Sequence, residues 1–190
     1  MNIFFLSKCP RRAARMYCNA HCIKIICELC QMLSCGFYFN DSVVPPGMKL
    51  YKKTHANHPM TKWVRSSKAN WCWAVQHGLE LCEEYYYRYG YKKNRQHLCR
   101  KMLLDFAFNF PNFRLEESDN MVYSTTKLVV RIDDQVLECT PVPLCVKDIN
   151  FSKKLILSYQ NYYKTKTFAR YTNQEIPYFM TNVVYQSLSS

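Results

Sequence analysis

The chain has 190 residues, enough for one domain with a real core, and its 48% hydrophobic and 15% aromatic content excludes a disordered polypeptide. A formal net charge of +12, from 26 Lys and Arg against 14 Asp and Glu, favours a polyanionic partner such as nucleic acid, with DNA preferred. No uncharged stretch approaches the ~18 apolar residues of a membrane span, and the opening apolar run at residues 3–6 is too short for a signal peptide, so no membrane partner is expected.

Residues 3–6 read as a short buried strand. Pro10 suits the first turn of a helix over 11–17. Asn19 is an N-cap and Gly36 a stop for the helix between them, and residues 40–49, with Pro45, Pro46 and Gly47, form a loop. From Pro59 a long helical region runs towards Tyr89, with Val64, Trp71, Val75, Leu79, Cys82, Tyr86 and Tyr89 near helical spacing, and Gly90 ends it. A third helix covers 96–108, with Leu98, Met102, Leu103 and Phe106 on one side. Residues 112–120 are an acidic turn. Short strands are expected at 122–123, 128–132 and 136–138, the last two joined around Asp133 and Asp134. A final helix over 152–163 precedes a basic tail. The expected fold is mainly α: a compact single helical domain, residues 1–190, with a small β element in the C-terminal half.

Between Asn19 and Gly36 the chain is apolar except along His21, Lys24, Glu28 and Gln31, which fall on one helical face. A helix apolar on most sides is normally buried, and buried ionisable groups need partners or a wet cavity. The stripe therefore suggests the wall of a pocket in which a base, an amine and an acid meet. The plainer reading is one Lys24–Glu28 ion pair at i,i+4.

His55 and His58 flank a loop-to-helix junction, where exposed helix N–H groups and Lys52, Lys53 and Lys62 suit a phosphate, although capping by Asn57 or His58 suits it too. Asn70, Trp73, His77 and Glu84 recur at helical steps opposite the apolar face, and either line the same cavity or form a solvated face. From Arg88 to Lys101 no acid interrupts Lys92, Lys93, Arg95 and Arg100, and tyrosines are interleaved, a composition suited to phosphates and bases. Tyr159, Tyr162, Tyr163, Lys164, Lys166, Arg170 and Tyr171 repeat the flavour. The 11 cysteines are odd in number and scattered, as reduced thiols of an intracellular protein would be. Cys18, Cys22, Cys27 and Cys30 lack zinc-finger spacing, so neither metal nor cofactor is expected. No feature of the chain specifies an oligomeric state.

These motifs have an order: Met1-Asn2-Ile3-Phe4, Pro10-x-x-Ala13-Ala14, Cys18-Asn19-x-His21-x-x-Lys24-x-x-x-Glu28, Thr54-His55-x-Asn57-His58-Pro59-x-x-x-Trp63, Asn70-x-x-Trp73 and Tyr87-Arg88-Tyr89-Gly90. Tyr162-Tyr163-x-x-Lys166 and Ile176-Pro177 follow. The set resembles a family of small phage and large-DNA-virus proteins and, loosely, the pyrimidine-dimer DNA glycosylases. It covers the N-terminal half well, a short piece of the C-terminal half, and nothing in residues 109–147. The resemblance implies attack on the sugar C1′ by an N-terminal amine, with Glu28 moving protons and His21, His55 and His58 holding phosphate or base. A bulky Asn2 retains Met1, which makes Lys24 the candidate amine. Ser7, Cys9 and Asn19 stand where the family pattern has acids.

The expectation is a viral enzyme acting on DNA or nucleotides in a reducing host cytoplasm or nucleus, most concretely in glycosylase/lyase-like base excision. Glu28 is its acid/base, with Lys24 and His21 beside it, and His55, His58, Asn70, His77, Lys92, Lys93 and Arg95 bind substrate. The alternatives are a non-catalytic basic nucleic-acid-binding protein and a host-interaction protein descended from an enzyme.

Overall fold

The computed structural model describes residues 2–116, 118–146 and 153–181. The chain runs α1 (Pro10–Arg15), α2 (Asn19–Gly36), α3 (Pro59–Arg65), α4 (Lys68–Tyr85), α5 (Arg100–Phe108), β1 (Val129–Ile132), β2 (Gln135–Glu138), α6 (Leu155–Lys164) and α7 (Tyr178–Thr181). A π-turn, Tyr86–Gly90, and a 3-10 turn, Tyr91–Lys93, follow α4 directly. The architecture is mainly α with one small antiparallel hairpin in the C-terminal half, as expected from the periodicity. In that hairpin Val129 pairs with Glu138 and Ile132 with Gln135, and Asp133 turns the chain at φ 51°. None of the described helices is long and apolar enough to cross a membrane.

Helices α2 and α4 pack against each other, and α1 lies along α4. The core they share takes Ile25, Ile26, Leu29 and Leu33 from α2, Trp71, Trp73 and Leu81 from α4, and Tyr159 and Tyr163 from α6, closed by Ile3 to Leu6 at its centre. Phe5 meets Trp73 with ring centroids 4.7 Å apart and Trp63 at 5.5 Å. Burying rings of this size dominates the hydrophobic contribution of a domain this small.

Four expectations are corrected. Residues 3–6 are buried but not a strand. The Tyr17 hydroxyl accepts from Phe4 N at 2.7 Å and donates to Phe4 O at 3.0 Å, while the Gln160 amide donates to Leu6 O at 3.0 Å. Side chains thus stand where a neighbouring strand would. The helix expected from Pro59 to Tyr89 is two helices and a π-turn. Ser67 is extended, at φ −156° and ψ 157°, and its hydroxyl caps α4 by accepting from Asn70 N. A good N-cap serine outweighs continuous apolar spacing here.

Helix α5 starts at Arg100 rather than residue 96, because Cys99 N donates to His97 Nδ1 in a preceding turn. Residues 122–123 form a single bridge, Tyr123 to Pro143, instead of a strand. Residue 152, the expected start of the last helix, lies outside the described residues; the helix is Leu155–Lys164.

Candidate active site

Glu28 is the centre of a polar cluster on one side of α2. Its side chain is 13% exposed. Oε2 accepts from Asn2 N at 3.1 Å, and Oε1 faces Lys24 Nζ at 3.3 Å. Helical periodicity brings Lys24 one turn before Glu28, and the buried residues 3–6 bring Asn2 across from the opposite side. The Asn2 side chain is itself fixed, its amide donating to Cys145 O at 3.0 Å and accepting from Tyr159 Oη at 3.3 Å. The carboxylate therefore sits at the boundary between core and water, with nitrogen on both of its oxygens. Lys24 is 70% exposed, so its amine can be reached from solvent.

His21 lies one turn before Lys24 and is buried. Its ring stacks on Phe4, with centroids 4.7 Å apart and planes at 20°. The Tyr163 hydroxyl accepts from Cys18 N at 2.8 Å and stands 2.9 Å from His21 Nδ1. The phenol oxygen can accept from Cys18 N and also either donate to or accept from Nδ1, so this hydroxyl fixes the position of the imidazole ring. Burial and the positive charge of Lys166 and Lys24 lower the His21 pKa to about 4, against the pull of Glu28. The ring is neutral at pH 7.

His58 is the N-cap of α3: Nδ1 accepts from Met60 N at 3.2 Å. Burial lowers its pKa as well, and the Glu28 charge again acts in the opposite sense. His21 and His58, on elements far apart in sequence, thus both feel the Glu28 charge. His55 is exposed at positive φ (48°), its Nδ1 2.8 Å from Thr54 Oγ1.

Asn70 and His77 do not join this cluster, and the expectation that they line its cavity is corrected. The buried Asn70 amide donates to Trp63 O, Ser66 Oγ and Thr140 Oγ1 and accepts from Thr140 N. It ties α4 to the loop after β2, beside a cavity of about 250 Å³ bounded by Pro59, Trp63, Glu116 and Tyr123. His77 is buried against Trp73 and Tyr17, with Nδ1 3.0 Å from Pro10 O. A carbonyl only accepts, so Nδ1 carries the proton; burial lowers the pKa to about 4, and Nε2 has no hydrogen-bond partner among the described residues.

Of the stripe Asn70, Trp73, His77 and Glu84, the first three are buried, and only Glu84 lines a cavity, a separate one with Arg15, Glu80 and Tyr87. The stripe binds the N-terminal segment, because Trp73 Nε1 also donates to Lys8 O and Glu84 pairs with Arg15 and Arg88.

Lys92, Lys93 and Arg95 are exposed on the turn after α4, beside exposed Tyr91. Arg88 is buried instead, donating to Tyr17 O at 2.8 Å, to Glu84 and to Gln174. The phosphate-contacting role is therefore open to the three residues after Gly90 and closed to Arg88.

Sequence reasoning left Asn2, Tyr163 and Lys166 out of the site. The motif Tyr162-Tyr163-x-x-Lys166 was the available signal, but only the fold reveals that α6 comes back onto the start of α2.

Residues 1–98 match the family model described as pyrimidine dimer DNA glycosylase. No curated protein and no solved structure matches the chain.

Proposed function

This chain belongs to the pyrimidine dimer DNA glycosylase family, and from that premise we propose that it excises damaged pyrimidines from DNA by an amine-dependent glycosylase/lyase reaction at Glu28. The observation that carries this reading is the half-buried Glu28 carboxylate, held between Asn2 N and Lys24 Nζ. The matched segment contains all of these residues.

In this reading an unprotonated amine attacks the sugar C1′. The glycosidic bond breaks with its electron pair leaving on the base, which is released on protonation. Loss of a proton from the nitrogen and opening of the sugar ring give an imine. Removal of a C2′ proton then expels the 3′ phosphate. Glu28 moves the protons, and Lys24 supplies the amine or clamps a phosphate. If Met1 is removed, the Asn2 nitrogen becomes a primary amine already 3.1 Å from Glu28 Oε2. Neutral His21 and His58 polarise or hold the substrate near the carboxylate, His55 reaches the backbone, and Lys92, Lys93 and Arg95 neutralise phosphates. The likeness of the motif set to phage and large-DNA-virus proteins supports a viral origin and work inside the host cell.

The test is incubation of the protein with duplexes carrying a pyrimidine dimer or other damaged bases, with borohydride to trap imines. A covalent product lost in Glu28→Gln, with the adduct mapped to Lys24 or to the amino terminus, supports the reading and identifies the amine. Unchanged excision in Glu28→Gln would sink the assignment of Glu28.

The exposed Lys92, Lys93, Arg95 and Tyr91 favour a second reading, a non-catalytic DNA-binding protein. That protein would bind duplex with strong salt dependence and yield no trapped product with any substrate.

A further inference from the structure

On α2, next to Glu28, Cys27 and Cys30 lie one turn apart and project to the same side of the helix. The turn before α5 brings His97 and Cys99 to them. Cys27 Sγ and Cys99 Sγ are 3.7 Å apart although 72 residues separate them, and one ligand atom each of Cys27, His97 and Cys99 lies within 4.8 Å of the others. Cys30 Sγ is 3.9 Å from Cys99 O, and Tyr51 Oη is 3.4 Å from Cys99 Sγ. His97 Nδ1 accepts from Cys99 N at 3.2 Å, so that nitrogen is unprotonated, and a cation taking it as ligand would displace this hydrogen bond.

We propose that Cys27, His97 and Cys99, whose ligand atoms already converge, form a structural site for a zinc-class divalent cation, independent of the chemistry at Glu28, with Cys30, one turn along α2 and outside that cluster, turning in as the fourth donor on binding. Three thiols and one imidazole are a common donor set for structural zinc, and soft sulfur donors select against calcium and magnesium. With Zn–S bonds near 2.3 Å, two sulfurs of a tetrahedral site stand about 3.8 Å apart. The Cys27–Cys99 separation already has that value. Buried cysteines usually serve as small apolar fillers. Filling a core does not call for an imidazole and a phenol hydroxyl converging on one sulfur.

The cation would clamp α2 to the chain leading into α5. It would thereby fix the basic turn at Lys92, Lys93 and Arg95 relative to the helix that carries Glu28.

The full chain, purified without chelator and reconstituted with zinc chloride, is assayed for bound metal by elemental analysis. About one tightly held zinc per chain is expected. Cobalt in its place should give thiolate-to-cobalt charge-transfer absorption. Cys27→Ser and Cys99→Ser should each drop to background, while Cys72→Ser and Cys139→Ser, outside the cluster, should keep full occupancy. Because a cluster variant can fail to fold, the wild-type stoichiometry decides by itself: less than a tenth of an equivalent overturns the site. So does full occupancy in folded Cys99→Ser, or a Cys27–Cys99 disulfide in protein handled without reductant.

Discussion

Helices α2 and α4 are both eighteen residues long, and each carries a histidine and a glutamate on one line along the helix. On α4 that line is covered by the chain from Lys8 to Tyr17 and by Thr140, so the polar atoms of Trp73, His77 and Asn70 hold backbone carbonyls and a hydroxyl. On α2 the line stays at the boundary of the core, and Lys24 reaches solvent while Glu28 collects nitrogen from two directions. What packs opposite a polar stripe decides whether it holds the fold together or offers chemistry. The two glutamates are about equally exposed, at 15% for Glu84 and 13% for Glu28, but Glu84 is held by two arginines and Glu28 by a lysine and a backbone nitrogen.

The sharpest way to test this contrast is to remove one glutamate from each helix. Glu28→Gln should lower excision by about 10²–10⁴-fold, the usual contribution of a positioned acid/base, with the melting temperature close to wild type. Glu84→Gln should instead lower stability by about 3 kcal/mol, since the fully buried Arg88 loses its carboxylate but keeps Tyr17 O and Gln174. Denaturant unfolding and a single-turnover assay on both variants measure the two effects. Equal activity losses in folded proteins would dissolve the distinction between the stripes.

Acid should expose the covered stripe next. His77 has a native pKa of about 4 against an ordinary value of 6.5, so the unfolded chain binds its proton first. Stability from this group is complete above pH 6.5 and is lost as pH falls towards 4, a loss of about 3 kcal/mol. His21, also lowered to about 4, adds a second slope of the same sign. His77→Gln should flatten the curve of stability against pH between 6.5 and 4; an unchanged curve would mean that the buried imidazole is not the group titrating.

A smaller effect is expected outside both stripes. Replacing Lys92, Lys93 and Arg95 together by Ala should reduce the slope of log affinity against log salt by up to about 0.9 for each phosphate that no longer meets a cationic side chain. Fluorescence anisotropy on a labelled duplex across a salt series reads it. Activity at saturating DNA should stay near wild type, because these side chains lie outside the Glu28 cluster.

The local chemistry of the chain was enough to determine α1, α2, the hairpin around Asp133 and the mainly α class. Proline and 3.6-residue spacing act within one or two turns, whereas the expected N-cap was wrong: Cys18 caps α2 without a side-chain bond, and Asn19 is the first helical residue, its side chain paired with Thr172. The Lys24–Glu28 pair was legible from the same spacing. What closes the site was not. The segment at residues 3–6, expected as a strand, is held by Tyr17 and Gln160 side chains, and the break at Ser66–Ser67 depends on a hydroxyl outcompeting helical spacing.

Tertiary structure alone decided that Asn2 meets Glu28, that Tyr163 orients His21, that the Asn70–His77 stripe is covered, and that His97 and Cys99 join Cys27. Each of these contacts closes a loop of many residues, and periodicity carries no information about which distant segment returns to a given face. The sequence by itself placed the acid and the amine on one helical face; only the packing of α1, α6 and the N-terminal segment determined which polar groups were sealed in the core and which stayed at its edge with water.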